Sequence, residues 1–219
     1  MPATRILYEA LNTPLLPLVP STAVRILDIG CGTGVLGECL NREKNRHVVG
    51  ITYSEQEASL ASKKLAEVHC TDINNFDFEC LGKFDCVILS HILEHLYFPN
   101  VILERLKCIL GPESTVIVAL PNVVWWKQRF QFLIGNWRYQ DWGVLDRTHF
   151  RFFDRRSSAE LLTDAGYEII QRISDGPFPL LKPIRKYIGP WTGKIDRFTS
   201  ELMPGLFAMQ FVYQARVKK

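Results

Sequence analysis

Short apolar runs alternate with amphipathic stretches along the first 120 residues of the chain. The runs have strand length, whereas the stretches between them repeat apolar positions at helical spacing. Strands are predicted at 24–29, 47–51, 68–70, 83–90 and 114–120, and helices at 34–42, 54–66 and 100–110. This alternation predicts a parallel sheet that is covered by helices on both faces.

The C-terminal part continues the pattern with one change. A helix is predicted over 157–165 and a sixth strand over 167–173. An insertion rather than a full helical crossover separates this strand from the last one, 206–217, so the two are expected to pair antiparallel. The predicted fold class is α/β: a doubly wound, Rossmann-like, mostly parallel seven-stranded sheet with an antiparallel last strand.

The whole chain, 1–219, is interpreted as one domain with three additions. Residues 1–23, with a helix expected over 4–11 and several prolines after it, form an N-terminal cap. Residues 123–150 are dense in tryptophan, tyrosine and phenylalanine and are interpreted as an aromatic lid insertion. Residues 174–204 form a Pro-rich insertion before the last strand.

Composition narrows the function classes. The net charge of +3 does not indicate a nucleic-acid binder, and no apolar stretch has the length of a membrane-spanning helix. The six cysteines include no C-x-x-C pair and no zinc-like spacing to histidine. Without a signal-peptide pattern at the N-terminus, these features favour a reduced, cytoplasmic protein with no metal site.

A glycine-rich turn follows the first strand and is the strongest sign of a ligand. Asp28 ends the strand, and Gly30, Gly32 and Gly34 follow at alternate positions. Glycines let the backbone come close to a polar ligand. Residues 32–37 also fit the G-x-G-x-x-G spacing of dinucleotide sites. However, Asp28 would repel a pyrophosphate, and Thr52 stands where such a site carries an acid.

Four other predicted strands also end in polar loops. The loops contain Thr52, Asp72, the segment 90–95, and Asn122 after Pro121. Because ligands of parallel α/β sheets bind outside the carboxyl ends of the strands, these loops and the glycine turn are expected to meet at one edge of the sheet.

An ordered set of segments resembles the class I S-adenosylmethionine-dependent methyltransferases, in the branch of ubiquinone-type and glycan-associated small-molecule enzymes. The set comprises Asp28-Ile29-Gly30-Cys31-Gly32-Thr33-Gly34, Gly50-Ile51-Thr52-Tyr53-Ser54, Asp72, Phe84-Asp85-Cys86-Val87, Leu93-Glu94-His95 and Leu120-Pro121-Asn122. Residues 143–153 resemble a segment of bacterial methyltransferases that accompany glycosyltransferases. The resemblance implies S-adenosyl-L-methionine as the cofactor.

The resemblance also implies roles for single residues. It places the Asp28 carboxylate near the ammonium of the cofactor, Asp72 and Ile73 at the adenine, and Ser90 at the sulfonium end. Thr52 departs from the family, which often has an acid there for the ribose, and Glu55 could substitute for it. The expected cofactor-binding residues are Asp28, Gly30, Cys31, Gly32, Thr33, Gly34, Thr52, Tyr53, Asp72, Ile73, Ser90 and His91.

Methyl transfer depends mainly on positioning the acceptor and excluding water, but a hydroxyl acceptor needs a base. Histidine is the side chain best tuned for this at neutral pH. His149 is the preferred candidate, with Asp146 to orient it. His95 is the second candidate, with a structural role as the alternative interpretation, and His91 is expected to face the cofactor.

The aromatic lid is expected to carry substrate specificity. Its candidate substrate-binding residues are Trp125, Trp126, Arg129, Trp142 and Arg147. A modest excess of Lys and Arg in the C-terminal half suits an anionic acceptor such as a sugar phosphate, although a solvated basic face explains it equally well. Aromatic and basic residues together also suit a peripheral membrane contact and a lipid-linked acceptor. The plainer interpretation of the lid is packing against the sheet edge.

The preferred hypothesis is therefore O-methylation of a small molecule or glycan. A methyltransferase acting on RNA or protein is the alternative, but the low net charge argues against RNA. So does the segment 120–123, Leu-Pro-Asn-Val, which lacks the Asp/Asn-Pro-Pro-aromatic signature of nucleic-acid N-methyltransferases. A third hypothesis is a module that binds the cofactor without turnover. The oligomeric state does not follow from the sequence.

Overall fold

A computed structural model describes residues 11–43 and 45–218. The seven strands, β1 to β7, are Arg25–Ile29, His47–Thr52, Glu67–Cys70, Phe84–Ser90, Leu110–Pro121, Tyr167–Asp175 and Gln210–Val217. The eight helices, α1 to α8, are Val35–Glu43, Glu55–Ala61, Pro99–Leu106, Trp126–Leu133, Arg155–Asp164, Lys182–Ile188, Thr192–Leu202 and Pro204–Phe207. The helix expected over 4–11 falls, except for its last residue, outside the described residues.

One sheet contains all seven strands in the order β3-β2-β1-β4-β5-β7-β6. The first five strands pair in parallel, and β7 runs antiparallel to both β5 and β6. The predicted fold class is therefore confirmed, including the antiparallel last strand. The last strand is shorter than expected, because α8 occupies part of the range predicted for it.

The two faces of the sheet bury separate apolar clusters. Ile26 of β1 belongs to one cluster, and its neighbours Leu27 and Ile29 belong to the other. This alternation follows from the two-residue period of a strand, and it requires helices on both sides. On the face of Leu27, α3 and α5 supply Leu103 and Leu162. The doubly wound arrangement keeps only the strand ends available for binding.

Both insertions begin at the edge of the sheet formed by the carboxyl ends of the parallel strands, where ligands of such sheets bind. Pro121 at the end of β5 and Asp175 at the end of β6 each pair with Gln210, the first residue of β7. The segment 122–154, with α4, follows the first of these ends, and 176–209, with α6 to α8, follows the second. No helix among the described residues is long and apolar enough to cross a membrane.

Candidate active site

The glycine turn after β1 adopts the backbone that its sequence requires. Gly30, Gly32 and Gly34 have φ of 77°, 52° and 78°, a region that residues with a Cβ rarely adopt. The N–H groups of Gly30 and Cys31 donate to the carbonyl oxygen of Ile51 on β2, at 2.8 and 3.0 Å. The turn is therefore anchored to the sheet and directs its open side away from it.

Asp28 is buried beside this turn without a compensating partner. Its side chain is 2% exposed, and no hydrogen-bond partner of its Oδ2 lies among the described residues. Burial raises the pKa of its carboxyl to about 7. A buried carboxylate of this kind is stabilised by a cation, so the turn can bind the ammonium group of a ligand.

A cavity of about 370 Å³ opens at the carboxyl ends of the strands. Nine sequence-predicted site residues line it: Asp28, Gly30, Cys31, Gly32, Ser90, His91, His95, Asp146 and His149. Residues that the sequence analysis did not select also line it, among them Asn12, Glu94, Val144, Thr148 and Gln210. The cavity therefore joins the glycine turn to the loops that carry the candidate bases.

The remaining predicted cofactor residues do not line this cavity. Thr33, Thr52 and Ile73 are buried, and Tyr53 is exposed. Asp72 accepts hydrogen bonds from the backbone and side chain of Asn74. Gly34 packs tightly on α2, where an added Cβ would lie 3.1 Å from the Cα of Ala61. These residues stand at the ends of β1, β2 and β3, so their assignment to the ribose and adenine stays a prediction.

An acid reaches the end of β2 from the next helix. The hydroxyl of Thr52 donates to Oε2 of Glu57 at 2.6 Å, and Oγ of Ser54 accepts from the Glu57 N–H at 3.4 Å. The Glu57 side chain thus turns to Thr52, and the Ser54 N–H donates to the Thr52 hydroxyl oxygen at 3.4 Å. Glu57, and not the exposed Glu55, is the carboxylate that contacts Thr52.

A buried polar network forms the wall of the cavity opposite the turn. His91 has a φ of 54° and contacts Glu94 through Nδ1, at 3.2 Å, and Gln210 through Nε2, at 2.9 Å. Gln210 also exchanges hydrogen bonds with the side chain of Asn12, which donates to Ser90 at 3.1 Å. The cap thereby becomes part of the site.

Burial alone would lower the pKa of His91 and raise that of Glu94. Their hydrogen bond and opposite charges outweigh it, so the pKa of His91 lies above its usual range and the pKa of Glu94 below. The contact therefore favours the charged forms of both side chains. This arrangement gives His91 a fixed orientation and makes it a poor proton acceptor.

Glu94 also lies close to two other histidines that line the cavity. One ligand atom each of Glu94, His95 and His149 lies within 4.8 Å of the others. Oε2 of the fully buried Glu94 has no hydrogen-bond partner among the described residues. These three side chains could coordinate a divalent cation. The sequence shows no metal-binding spacing here, because the histidines are far apart along the chain: Thr148, the residue before His149, is 53 positions from His95.

The two candidate bases have different partners. Nδ1 of His149 lies 3.2 Å from the carbonyl oxygen of Val144, so it carries the proton and Nε2 keeps its lone pair. Burial lowers the pKa of His149. Asp146 was expected to orient His149, but its carboxylate does not contact the His149 ring. It accepts a hydrogen bond from the Thr148 hydroxyl at 2.6 Å, and that hydroxyl contacts His95 at 3.0 Å. Asp146 therefore orients His95.

The predicted substrate-binding residues of the lid lie outside the cavity lining. Trp125 is buried against Trp126, and Arg129 donates to the carbonyl oxygen of Val124 at 2.6 Å. Trp142 is exposed, and Arg147 pairs with Asp141 at 2.7 Å.

A different part of the lid closes the cavity, namely Gly143, Val144 and Thr148. Trp125 and Arg129 instead make contacts within the lid, and Arg129 also donates to the carbonyl oxygen of Gly205 in the second insertion, at 3.4 Å.

Comparison with known proteins identifies the family of the chain. A family model described as a methyltransferase domain matches residues 4–172. The chain belongs to the class I methyltransferases, and its cofactor is S-adenosylmethionine. A ubiquinone biosynthesis O-methyltransferase of Bradyrhizobium diazoefficiens is 31% identical over 108 residues, which cover 47% of this chain and 42% of that protein. One of Neisseria meningitidis serogroup C is 29% identical over 108 residues, covering 45% and 44%.

The chain spans less than half the length of these curated relatives. Solved structures share the fold over most of the chain. A SAM-dependent methyltransferase from Archaeoglobus fulgidus has a TM-score of 0.63 at 18% identity, covering 93% of this chain and 91% of that one. The plantazolicin methyltransferase BpumL in complex with SAH has a TM-score of 0.59 at 20% identity, covering 90% and 77%.

The residues of the methyltransferase fit its cofactor. Asp28 has a buried, unpartnered oxygen that suits an ammonium group, and Gly30 and Gly32 leave room beside it. The pKa of Cys31 is raised by burial and by the carboxylates of Asp28 and Glu57, so its thiol stays neutral there. The turn therefore has no side chain that competes with the cofactor for Asp28.

Proposed function

We propose that this methyltransferase transfers the methyl group to a hydroxyl oxygen of a small molecule or glycan. The observation that carries the proposal is that the glycine turn and a neutral histidine, His149, line the same cavity. The O-methyltransferase relatives from ubiquinone biosynthesis support an oxygen acceptor.

His149 acts as the general base in this proposal. Its Nδ1–H is held by the carbonyl oxygen of Val144, so the lone pair of Nε2 is available for the acceptor proton. The lowered pKa keeps the ring neutral at pH 7. When bound, S-adenosylmethionine supplies an electrophilic methyl group. His95, which Thr148 and Asp146 hold in place, positions the acceptor beside His149.

Glu57 binds the ribose hydroxyls of the cofactor in this proposal. The Thr52 hydroxyl donates to one oxygen of the Glu57 carboxylate, which is partly exposed beyond the glycine turn. The second oxygen can accept from a ribose hydroxyl. Asp72 and Ile73 bind the adenine side, as the family resemblance implies.

The acceptor carries an anionic group or a lipid chain. The stacked rings of Tyr97 and Phe150, whose centres lie 3.9 Å apart, are exposed, and Phe150 follows His149, which lines the cavity. Arg151, next to Phe150, is held by the Tyr97 carbonyl oxygen at 2.7 Å. These exposed rings suit an apolar chain that extends from an acceptor hydroxyl into solvent or a membrane surface.

Calorimetric titration and a methyl-transfer assay test the proposal. S-adenosylhomocysteine should bind and NAD should not. Transfer is then measured with phenolic, sugar-phosphate and lipid-linked hydroxyl acceptors, and with RNA and protein as the competing substrates. Each assay is repeated with a chelator, since Glu94, His95 and His149 could hold a cation.

The variant His149→Gln should lower kcat by about 100-fold or more, the usual contribution of a general base. The control His47→Gln changes an exposed histidine at the opposite end of β2 and should leave kcat unchanged. Unchanged turnover in His149→Gln excludes His149 as the base. Binding of S-adenosylhomocysteine with no transfer to any hydroxyl favours the RNA or protein alternative or a non-catalytic module.

A further inference from the structure

The insertion between β6 and β7 presents a large apolar surface to solvent. Its exposed side chains are Leu181, Ile184, Tyr187, Trp191, Phe198 and Leu202. Tyr187 is 93% exposed, and each of the others is at least 44% exposed. Contiguous apolar surface of this kind marks an interaction site.

The insertion is built so that this surface faces outward. Asp196 of α7 accepts two hydrogen bonds from Arg185 of α6, at 2.7 and 2.9 Å, and one from the backbone of Phe178. Tyr187 follows Arg185 by two positions and lies on the opposite side of α6. The polar contacts thus hold the two helices together on their inner side and leave the apolar side chains outside.

The same geometry holds on α7. Ser200 is buried and donates to the carbonyl oxygen of Gly176 at 3.1 Å, so it marks the inner side of the helix. Phe198 and Leu202 are each two residues away from it and project from the outer side. The outer sides of both helices are therefore apolar while their inner sides are fixed to the domain.

Positive charge accompanies this apolar surface. The segment 181–203 has five Lys or Arg residues against two carboxylates. Both carboxylates, Asp196 and Glu201, are already paired with arginines of the segment. Within 11–43 and 45–218, no carboxylate pairs with Lys182, Lys186 or Lys194, and the Lys194 ammonium lies 4.4 Å from the Trp191 ring centre.

We propose that the outer side of α6 and α7 docks on an anionic phospholipid bilayer. Long apolar and aromatic side chains enter the interface while lysines reach the headgroups, which is how amphipathic helices bind membranes. A second copy of the chain is a poorer fit, because a symmetric contact would bring the unpaired lysines together. Charge complementarity therefore selects the lipid surface.

The position of the insertion links this docking to the active-site cavity. Met209 and Gln210, which follow α8, line the active-site cavity, and the segment emerges beside the end of β5, where the lid begins. Docking would therefore hold the cavity mouth at the membrane. Only this link to the active site rests on the proposed function, with a lipid-linked acceptor. The docking itself is measured without turnover.

Vesicle co-sedimentation tests the docking. The full chain should bind vesicles of phosphatidylglycerol mixed with phosphatidylcholine, bind vesicles of phosphatidylcholine alone much more weakly, and be released by high salt. Replacing Lys182, Lys186 and Lys194 by Gln should lower the partition constant by roughly 100-fold, at about fivefold for each lysine. The control Lys63→Gln changes an exposed lysine elsewhere and should have no comparable effect.

The apolar contribution is tested separately. The double variant Tyr187→Ser and Phe198→Ser should reduce vesicle binding by about tenfold or more. The control Val24→Ser changes an exposed apolar residue at the far edge of the sheet. The proposal is overturned if wild-type protein ignores anionic vesicles, if Leu133→Ser on α4 abolishes binding while the α6 and α7 variants retain it, or if the surface is covered by a second copy in solution.

Titration of S-adenosylhomocysteine on the same preparations separates the two proposals. All these variants should keep wild-type affinity for it, since none of the changed residues lines the cavity. Vesicle binding without methyl transfer leaves the docking in place and refutes the proposed function alone. Methyl transfer without vesicle binding leaves the proposed function in place and refutes the docking alone.

Discussion

The substitution Asp28→Asn should have opposite effects on stability and on cofactor affinity. Burial raises the pKa of Asp28 from 3.8 to about 7, which corresponds to a penalty of about 4 kcal/mol for the charged form of the free protein. Asparagine keeps the shape and removes this charge. Without ligand the variant should therefore be more stable than wild type at pH 8, by up to about 4 kcal/mol.

Cofactor affinity should fall in the same variant. A hydrogen bond between a buried carboxylate and an ammonium group contributes about 1.5–3 kcal/mol, so S-adenosylhomocysteine should bind roughly 10- to 100-fold more weakly. A purely structural Asp28 would show neither signature, because replacing it would cost stability and leave affinity largely unchanged.

The pH dependence follows from the raised pKa of Asp28. A group with a folded-state pKa above its unfolded value stabilises the protein fully below the unfolded pKa, and this stability is lost as the pH rises through the folded pKa. The stability gap between variant and wild type should therefore open from about pH 4 to about pH 7. Wild-type affinity for the ligand should fall about tenfold per unit below pH 7, whereas the variant should show no such slope.

Two measurements check these expectations. Thermal unfolding without ligand reports stability, and calorimetric titration with S-adenosylhomocysteine at several pH values reports affinity. The matched control is Asp85→Asn, which removes a carboxylate that accepts from Val24 and Arg25 at the opposite edge of the sheet. The control should keep wild-type affinity. A variant at position 28 that binds as tightly as wild type, or that is less stable than wild type at pH 8, refutes the reasoning.

Two further substitutions test the cofactor side of the site. Glu57→Gln should weaken S-adenosylhomocysteine binding by about tenfold, the loss of one charge-assisted hydrogen bond, whereas Glu55→Gln on the same helix should not; equal affinities in calorimetry would remove Glu57 from the ribose site. Gly34→Ala should destabilise the fold more than Gly135→Ala in urea unfolding. Both glycines have positive φ, which costs alanine about 1–2 kcal/mol, but only at Gly34 would the new Cβ crowd Ala61, so equal losses would contradict the packing argument.

Much of the fold follows from local patterns. The strands β1 to β5 are apolar runs bounded by turn residues, and the sheet order follows once helices alternate with them. The antiparallel β7 was predicted from the form of its connection to β6. Helices α6 and α7 were not predicted within the insertion, because their apolar residues face outward and no core periodicity marks them.

The site was predictable where it depends on strand ends. Asp28 lies near the end of β1, and Ser90 and His91 lie at the end of β4; adjacent parallel strands bring their ends together. Asn12 and Gln210 were missed because their mutual hydrogen bonds join residues 198 positions apart. An asparagine in the N-terminal cap and a glutamine at the start of a strand carry no local sign of a shared cavity.

The lid shows why residue type alone misleads. Tryptophans and arginines were selected there because they are common in binding sites, but Trp125 and Arg129 contact other residues of the lid. Gly143, Val144 and Thr148, none of them bulky or charged, line the cavity instead. Side chains of this size leave room for a ligand beside them.

The proximity of His95 and His149 was not predictable from the sequence, because it depends on contacts between distant segments. Phe150 and Arg151 both donate backbone hydrogen bonds to the carbonyl oxygen of Glu94, at 2.9 and 3.1 Å, and this pairing brings His149 beside His95 with ring centres 4.6 Å apart. These bonds join the lid to the loop after β4, so the proximity of the two histidines depends on tertiary backbone contacts, whereas the glycine turn after β1 is encoded in its local sequence.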